Sequence, residues 1–311
     1  MNKLLVICGP TATGKTSMAV QIAKKLNGEL ISADSRQVYI GMDIGTGKDR
    51  EKLDGIPIWM YDVVRPDEEF SVSHYQSLAS QALTDIWSRG KLPIIVGGTG
   101  FYINSLINPP ESIHIPRDET LRHTLISYSV VELQDRLCKL DPRVYQSLNN
   151  SDKSNPRRLI RKIEIAERQD DRKPRVLNVP LYTCYQVGLI TSIVELQKRI
   201  AIRVDVRVEQ GIISEITKLL ALGYTWDLPS MSGMGYMQWK PYFEAKNKEE
   251  FKKTIIEEWK HAEYLYAKKQ CTWFKKRNDI TWFDVTRPGY PDNVTKSVLA
   301  WYTEENHEHK N

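Results

Sequence analysis

The chain has 311 residues, of which 41% are hydrophobic and 27% are charged. This composition is typical of a folded globular protein and excludes a largely disordered chain. The 44 lysines and arginines against 39 acidic residues give a net charge of +5, which is too small to indicate nucleic-acid binding by itself. The four cysteines are far apart and form no CxxC pair, so neither a disulfide framework nor a zinc site is indicated. We expect buried free thiols, in a reducing compartment, at Cys8, Cys138, Cys184 and Cys271.

The hydropathy pattern predicts neither a membrane helix nor a secretory leader. No apolar run approaches the roughly 18 residues that a membrane helix needs. The apolar residues 4–8 are fewer than the about 7–15 of a signal-peptide core, and they end in Gly-Pro. We therefore expect a cytoplasmic protein without membrane contact, and a monomer by default.

The first third of the chain alternates between strand and helix patterns. Residues 4–8 form an apolar run that is typical of a buried parallel strand. Apolar residues at helical spacing predict a helix over 16–26. Further strands are predicted at 29–33, 57–64 and 92–96, with a helix at 71–87. This alternation predicts an α/β protein whose parallel sheet carries helices on both faces.

The pattern changes after Asn108-Pro109-Pro110 and becomes helical and charge-rich from 113 to about 175. The pattern then predicts a strand at 181–190, helices over 192–222 and 248–276, and a last strand at 280–285. We therefore expect an α/β core formed by residues 1–112 and 181–303. A helical insertion of residues 113–180 would interrupt this core, and a flexible tail of residues 304–311 would follow it.

The segment GPTATGKT matches the phosphate-binding pattern G-x-x-x-x-G-K-[ST] and lies between a predicted strand and a predicted helix. Its glycines let backbone N–H groups turn towards phosphate oxygens, and the following helix directs its positive end at them. A lysine adds a charge, and a hydroxyl suits Mg²⁺. The motif therefore predicts a di- or triphosphate ligand with Mg²⁺, and it is also typical of ATP-binding proteins. Its residues are Gly9, Pro10, Thr11, Ala12, Thr13, Gly14, Lys15 and Thr16.

Asp34 follows the second predicted strand and would lie near the phosphate loop, because ligands bind beyond the carboxyl ends of parallel strands. From position alone, Asp34 could equally be a turn residue that caps the strand.

Five segments in order resemble the tRNA dimethylallyltransferase (tRNA isopentenyltransferase) family. They are GPTATGKT, ISADSRQVYIGMDIGTGK, LPIIVGGTGFYINSL, DPRVYQSLNNSDKSNPRRLIRKIEI and YAKKQCTWFKKR, and the similarity runs from about residue 4 to 285. The resemblance implies a P-loop kinase-like core with a helical insertion. It also implies transfer of a dimethylallyl group from dimethylallyl diphosphate to N6 of the adenosine 3′ of the anticodon, position 37 of tRNA. Diphosphate would be released, and ATP would not be the substrate.

The resemblance implies roles for residues near the loop. Asp34 would be the base that accepts a proton from the adenine amine. Lys15, Thr16, the loop amides and Arg203 would stabilise the leaving diphosphate, with Mg²⁺ at Thr16. Arg199 remains an alternative to Arg203 for the phosphate contact, and Thr11 would meet the donor or the reacting base.

The tRNA contacts are also expectations from the resemblance. The densest basic element lies at residues 157–162 and could equally be a solvated helix face. Thr99 could cap a helix instead, and Met237 stands where the family usually has Lys or Arg. Trp273 and Phe274 fit a core better than a stacking surface. The residues expected to contact tRNA are Asp34, Ser35, Arg36, Gln37, Thr99, Arg122, Arg157, Arg158, Leu159, Ile160, Arg161, Gly235 and Tyr236.

The residues by themselves leave two alternative functions open. The phosphate loop alone would suit a small-molecule kinase, which leaves the basic segment 157–162 unexplained. A non-catalytic RNA-binding protein with a vestigial loop would not need Asp34, yet Lys15, Thr16 and Asp34 are all present.

Overall fold

The computed structural model describes residues 1–168, 181–245 and 248–304. The strands are β1 (Asn2–Cys8), β2 (Gly28–Ser32), β3 (Ile58–Trp59), β4 (Leu92–Gly97), β5 (Tyr182–Ile190) and β6 (Thr281–Asp284). The helices of the first half are α1 (Lys15–Leu26), α2 (Val72–Ser88), α3 (Gly100–Ile107), α4 (Glu119–Leu125), α5 (Val130–Leu140), α6 (Pro142–Ser147), α7 (Asn150–Lys153) and α8 (Pro156–Glu167). Those of the second half are α9 (Ile193–Glu209), α10 (Ile212–Ala221), α11 (Lys240–Glu244), α12 (Lys248–Phe274) and α13 (Asp292–Thr303).

The described strands form one parallel sheet in the order β3-β2-β4-β1-β5-β6. This confirms the predicted parallel α/β core. β1 lies between β4 and β5, whereas the next strand along the chain, β2, lies on the far side of β4. The chain thus leaves β1 at the centre of the sheet, and the loop after β1 opens at its carboxyl edge, where ligands bind in such folds.

β1 contributes alternate residues to the two faces of the sheet. Leu4, Val6 and Cys8 belong to one hydrophobic cluster, and Leu5 and Ile7 belong to another. All five are fully buried, and each buried aliphatic side chain contributes about 1.5–3 kcal/mol. Because both of its faces are packed, β1 is rigidly held. The phosphate loop that follows it therefore begins from a fixed position.

Two predicted elements differ from the structure for reasons of backbone conformation. The strand predicted at 57–64 is confined to β3, because Met60 and Asp62 have φ angles of 71° and 56°, which a strand does not allow. The helix predicted over 192–222 is two helices, α9 and α10, because Gly211 between them has a φ of 96°.

The fold divides into two compact units, one of Met1–Ile107 with Val179–Asn311 and one of Asn108–Asn178. The smaller unit is helical, and α8 begins with an Asn155 side chain that accepts a hydrogen bond from the Arg158 N–H. Its apolar residues recur at helical spacing and form a separate core that includes Leu133, Leu137, Leu159 and Ile163. The limits of 113–180 for an insertion remain a prediction. Residues 169–180, and residues 305–311 of the predicted tail, lie outside the described residues.

The cysteines are free thiols, but their burial differs from the prediction. Cys8 is buried and Cys271 is half-buried, whereas Cys138 and Cys184 are exposed, so the expectation of buried thiols is wrong for these two. Within the described ranges, no helix combines the length and the apolar character needed to cross a membrane.

Glu29 is a buried carboxylate that ties β2 to its neighbours. Its oxygens accept hydrogen bonds from the Trp59 indole at 2.9 Å and the Lys91 ammonium at 2.7 Å, and they pair with the Arg89 guanidinium. These hydrogen bonds, above all that from Arg89, hold the pKa of Glu29 down at about 2 against an ordinary 4.5. The charged form therefore stabilises the fold at neutral pH.

We expect Glu29→Gln to lower the free energy of unfolding by roughly 2 kcal/mol at pH 7. This value allows for solvent screening, since all three partners are about one-third exposed. Because the folded-state pKa is depressed, the contribution is complete above pH 4.5 and is lost as the pH falls through about 2. Urea unfolding of both proteins at several pH values measures this difference. Glu51→Gln, at an exposed glutamate, is the control, and a Glu29 effect that persisted at the acid end would contradict the assignment.

Candidate active site

The loop between β1 and α1 has the conformation of an anion cradle. Gly9 (φ 136°) lies so close to β5 that an added Cβ would collide with the Leu189 carbonyl oxygen. Ala12 and Gly14 also have positive φ angles, of 62° and 80°, so the chain curls before α1 begins. The Thr13 hydroxyl closes the curl by donating to the Pro10 carbonyl at 2.9 Å. Residues of this loop and of the first turn of α1 line one cavity, as in sites where a helix N-terminus binds an anion.

Lys15 is held inside this curl. Its ammonium donates to the Pro10 carbonyl at 2.6 Å. Burial and the nearby charge of Arg203 lower the pKa of Lys15 to about 8, although Asp34 opposes the shift. The charged lysine is thus poorly compensated by the protein alone, and a bound anion would stabilise it.

Arg203, on α9, reaches the phosphate loop from a distant part of the chain. Its guanidinium donates to the Thr11 hydroxyl oxygen, and burial lowers its pKa. Arg199, one turn earlier on α9, is paired instead with Glu195 at 2.7 Å. Both arginines line the cavity, but only Arg203 contacts the loop in this way, which favours it for the predicted phosphate contact.

Asp34 lies two residues after the end of β2 and lines the same cavity. One carboxylate oxygen accepts the Arg36 N–H at 2.9 Å. The neighbouring Ser35 N–H donates to the Thr99 hydroxyl oxygen at 3.1 Å, which ties this turn to the end of β4. The carboxylate is therefore held in place by its own turn and faces the cavity that the phosphate loop shares.

The cavity has a volume of about 710 Å³ and is lined entirely by residues of the larger unit. This is within the range of small-molecule and cofactor sites. One part is cationic, with Lys15 and Arg203, and Asp34 supplies a carboxylate. The arrangement can hold a diphosphate and offer a proton acceptor inside one enclosure.

A family model described as IPP transferase matches residues 37–277, well over half of the chain. The chain belongs to the IPP transferase family. A tRNA dimethylallyltransferase of Halalkalibacterium halodurans is 40% identical over 92% of this chain and 92% of its own length. One of Acetivibrio thermocellus is 38% identical over 96% of both chains.

Solved structures of IPP transferases have the same fold. The full-length tRNA isopentenylpyrophosphate transferase of Bacillus halodurans superposes with a TM-score of 0.70 at 37% identity, over 97% of this chain and 96% of that one. A eukaryotic dimethylallyltransferase described as acting on tRNA gives a TM-score of 0.79 at 26% identity, over 96% of this chain and 78% of that one.

Several predicted tRNA residues of this IPP transferase meet at the cavity. Ser35, Arg36 and Gln37 line it beside Asp34. The Arg36 guanidinium donates to the Pro229 carbonyl at 2.7 Å, so the segment after β2 is tied to the chain around residue 230. Thr99 lies behind this turn as a hydrogen-bond acceptor for Ser35.

The glycine-tyrosine segment differs from its prediction. Tyr236 is only 1% exposed, and its hydroxyl donates to the buried carboxylate of Glu215 at 2.6 Å. Gly235 (φ 87°) packs where an added Cβ would crowd the Trp259 ring. The Tyr236 side chain is therefore committed to the core, whereas the following Met237 is exposed, and a tRNA contact at this segment stays a prediction.

The basic segment of α8 is not a uniform surface. Arg157 and Arg158 are exposed, and Arg158 pairs with Asp152. Leu159 and Ile160 are core residues of the helical unit, so their side chains are used in packing, and their predicted tRNA contact stays a prediction. The pattern of residue types identified this helix but did not separate its exposed positions from its buried ones.

The other two predicted arginines of the helical unit have internal partners. Arg161 donates to the Ser112 and Ile115 carbonyls at 3.1 and 2.7 Å. Arg122 pairs with the fully buried carboxylate of Glu164. Both arginines therefore stabilise the unit itself.

Gln270, on α12, is a site residue that the motif reading overlooked. Its carbonyl oxygen accepts the Thr11 N–H at 2.8 Å, and its amide donates to the Gly98 carbonyl at 3.0 Å. It therefore fixes the phosphate loop to the end of β4. The sequence signal that could have indicated Gln270 is a polar residue four positions after Tyr266, on a helix face that is otherwise packed. Phe274, on the same helix, is a core residue, as predicted.

Two buried charged residues shape the loop of residues 43–48, which the sequence reading also missed. Glu215 accepts the N–H groups of Asp43, Ile44 and Gly45 at 2.7–3.0 Å. The Lys48 ammonium is fully buried and bonds to the Asp43 carboxylate at 2.7 Å. Gly45, Thr46 and Gly47 consequently line the cavity in a fixed conformation.

We expect Lys15→Met to abolish diphosphate binding without lowering the thermal unfolding midpoint of the ligand-free protein. The substitution removes a buried charge whose ionised form burial already disfavours, so the empty fold loses little. Calorimetric titration with diphosphate and Mg²⁺, followed by thermal unfolding with and without diphosphate, measures both effects.

Lys25→Met, at an exposed lysine of α1, serves as the matched control. A Lys15 variant that bound diphosphate like the parent would remove this lysine from the anion site.

Proposed function

We propose that this chain transfers a dimethylallyl group from dimethylallyl diphosphate to N6 of adenosine 37 of tRNA, 3′ of the anticodon, with release of diphosphate. The observation that carries the proposal is that the phosphate loop and Asp34 line the same cavity. The names of its relatives, tRNA dimethylallyltransferase, support the same reaction.

In this reaction the bond between the allylic carbon and the diphosphate oxygen breaks, and a carbon–nitrogen bond to N6 forms. The diphosphate leaves with the electron pair of the broken bond. Lys15, Arg203 and the loop amides would neutralise the negative charge that develops on it. Their charges are held in place before the donor arrives, so little reorganisation is needed.

Asp34 is the proposed base. The adenine amine is a weak nucleophile, because its lone pair is delocalised into the ring, and the amine must lose a proton as the new bond forms. The Asp34 carboxylate would accept that proton. Its hydrogen bond from the Arg36 N–H orients one oxygen, which leaves the other for the substrate.

Mg²⁺ is the proposed cation, with Thr16 as its protein ligand. The described residues contain no group of three or more His, Cys, Asp or Glu side chains suited to hold a metal unaided. The cavity offers the Thr16 hydroxyl, a hard oxygen ligand beside the anion cradle, and Mg²⁺ characteristically binds through phosphate oxygens and water with few protein ligands. When bound, it would neutralise charge on the diphosphate.

We further propose that the helical unit contacts tRNA through Arg157 and Arg158, the exposed basic residues of α8. Such residues bind backbone phosphates and position RNA without reading its sequence. We also propose that the enzyme works as a monomer, in the cytoplasm with its tRNA substrate.

The test is a direct assay with purified protein, Mg²⁺, dimethylallyl diphosphate and unmodified tRNA, followed by nucleoside analysis by mass spectrometry. We expect a prenylated adenosine that is absent when the donor is omitted. ATP hydrolysis with a small acceptor and no prenylated base would favour a kinase instead. Tight tRNA binding without any turnover would favour a non-catalytic RNA-binding protein.

We expect Asp34→Asn to slow prenyl transfer by about 10²–10⁴-fold, because the amide keeps an acceptor for the Arg36 N–H but cannot take the substrate proton. Single-turnover assays with prebound tRNA, together with tRNA affinity measured by filter binding, separate the two roles. Asp34→Ala serves as the comparison that also removes the turn hydrogen bond. If tRNA affinity collapsed in the Asn variant, Asp34 would be a binding residue.

We expect Arg157→Ala with Arg158→Ala to weaken tRNA binding and to reduce the slope of log affinity against log salt by about one to two. Filter binding between low and moderate salt measures this slope. The control, Lys25→Ala with Lys296→Ala, removes two exposed lysines of the larger unit. It lowers the net charge by the same amount as the arginine variant. An unchanged slope in the arginine variant would assign these residues to a solvated surface.

A further inference from the structure

Arg207 lies one turn beyond Arg203 on α9, and both line the cavity. It is only 3% exposed. Its Nη1 donates to the Glu263 carboxylate at 2.9 Å, and the same carboxylate receives the Trp259 indole N–H at 3.3 Å. Among the described residues, the buried Nε of Arg207 has no hydrogen-bond partner.

Gly47 shows how close the two arginines come to each other. An added Cβ on Gly47 would collide with the Nη2 atoms of both Arg203 and Arg207. The two guanidinium groups therefore converge on the same point of the cavity wall. The φ of 65° favours glycine at this position, and any side chain there would have to shift both guanidinium groups.

Arg207 is paired with the Glu263 carboxylate, and the charges of Glu263, Asp49 and Asp34 act favourably on Arg203. The charge of Arg207 contributes, after burial, to the lowered pKa of Arg203. Buried like charges at close range are unfavourable unless an anion lies between them. In Arg207, Nε lacks a partner among the described residues, and Nε with the adjacent Nη2 forms the edge that guanidinium groups use to bind an oxyanion through two hydrogen bonds.

We propose that Arg207 is a second diphosphate-binding arginine, which acts with Arg203 on the oxygens of the donor's leaving group. The proposal rests on the proposed function and identifies a further residue of the same site. Glu263 would be a positioning residue that holds Nη1 and so directs the Nε–Nη2 edge. A purely structural Arg207–Glu263 pair would instead leave the affinity for diphosphate unchanged.

The test measures inorganic diphosphate binding in the presence of Mg²⁺ by calorimetry, with thermal unfolding recorded for every variant. We expect Arg207→Met to weaken diphosphate binding about tenfold or more, because a charge-assisted contact is lost. We expect Glu263→Gln to bind diphosphate at least as tightly as the parent, because the amide oxygen can still accept the Nη1 hydrogen bond while a competing negative charge is removed.

The double variant Arg207→Met with Glu263→Gln separates binding from folding. Arg207→Met alone leaves a buried carboxylate without its cation, which is destabilising, and the second substitution removes that carboxylate. We expect the double variant to recover thermal stability and still bind diphosphate weakly. Recovery of parental affinity, or parental affinity in Arg207→Met itself, would overturn the proposal.

The same measurements distinguish failure of this proposal from failure of the prenyl-transfer function. If the parent binds diphosphate in an Arg207-dependent manner but yields no prenylated tRNA, the arginine pair stands and the acceptor is wrong. If Lys15→Met does not bind diphosphate while Arg207→Met still binds it, the phosphate loop is supported as the diphosphate site and Arg207 has only a structural role. A parent that binds no diphosphate would overturn both.

Discussion

Buried positive charge around the phosphate loop is the constraint on which this site depends. Lys15 and Arg203 are both desolvated before any ligand binds, and the pKa of each is lowered as a result. Such an arrangement persists only if packing elsewhere holds it. β1 supplies that packing, because its alternate residues fill the cores on both faces of the sheet. The fold thus holds poorly compensated positive charge, which an anion would stabilise, beyond the end of a central strand.

The part of the cavity lining formed by residues 43–48 is held by buried charged side chains whose hydrogen bonds are made within the protein. Glu215 binds three consecutive backbone N–H groups, and the Lys48 ammonium bonds to the carboxylates of Asp43 and Asp62. This part of the lining needs no ligand to be ordered. The cationic loop differs, because burial lowers the pKa of both Lys15 and Arg203. Gly47 leaves room for the Nη2 atoms of Arg203 and Arg207.

Resemblance and pattern predicted which segments contact tRNA but not which of their side chains are exposed. Tyr236 and Leu159 stand in segments that resemble tRNA-contacting ones, yet both are buried in hydrophobic cores. Residue type and spacing report which helix or turn is present, whereas exposure depends on what packs against it. The same reason applies to Arg161, which was predicted to contact tRNA but donates hydrogen bonds to two carbonyl groups within its own unit.

The sequence by itself determined the parallel α/β core, the phosphate loop and the position of Asp34 after a strand, because steric rules and hydrophobic periodicity act over a few residues. Only the tertiary structure decided which distant side chains complete the site. Arg203 meets Thr11 across 192 residues, and Gln270 meets the same loop across 259. These contacts follow from how α9 and α12 pack against the sheet. Such packing is a property of the whole core, and no local pattern encodes it.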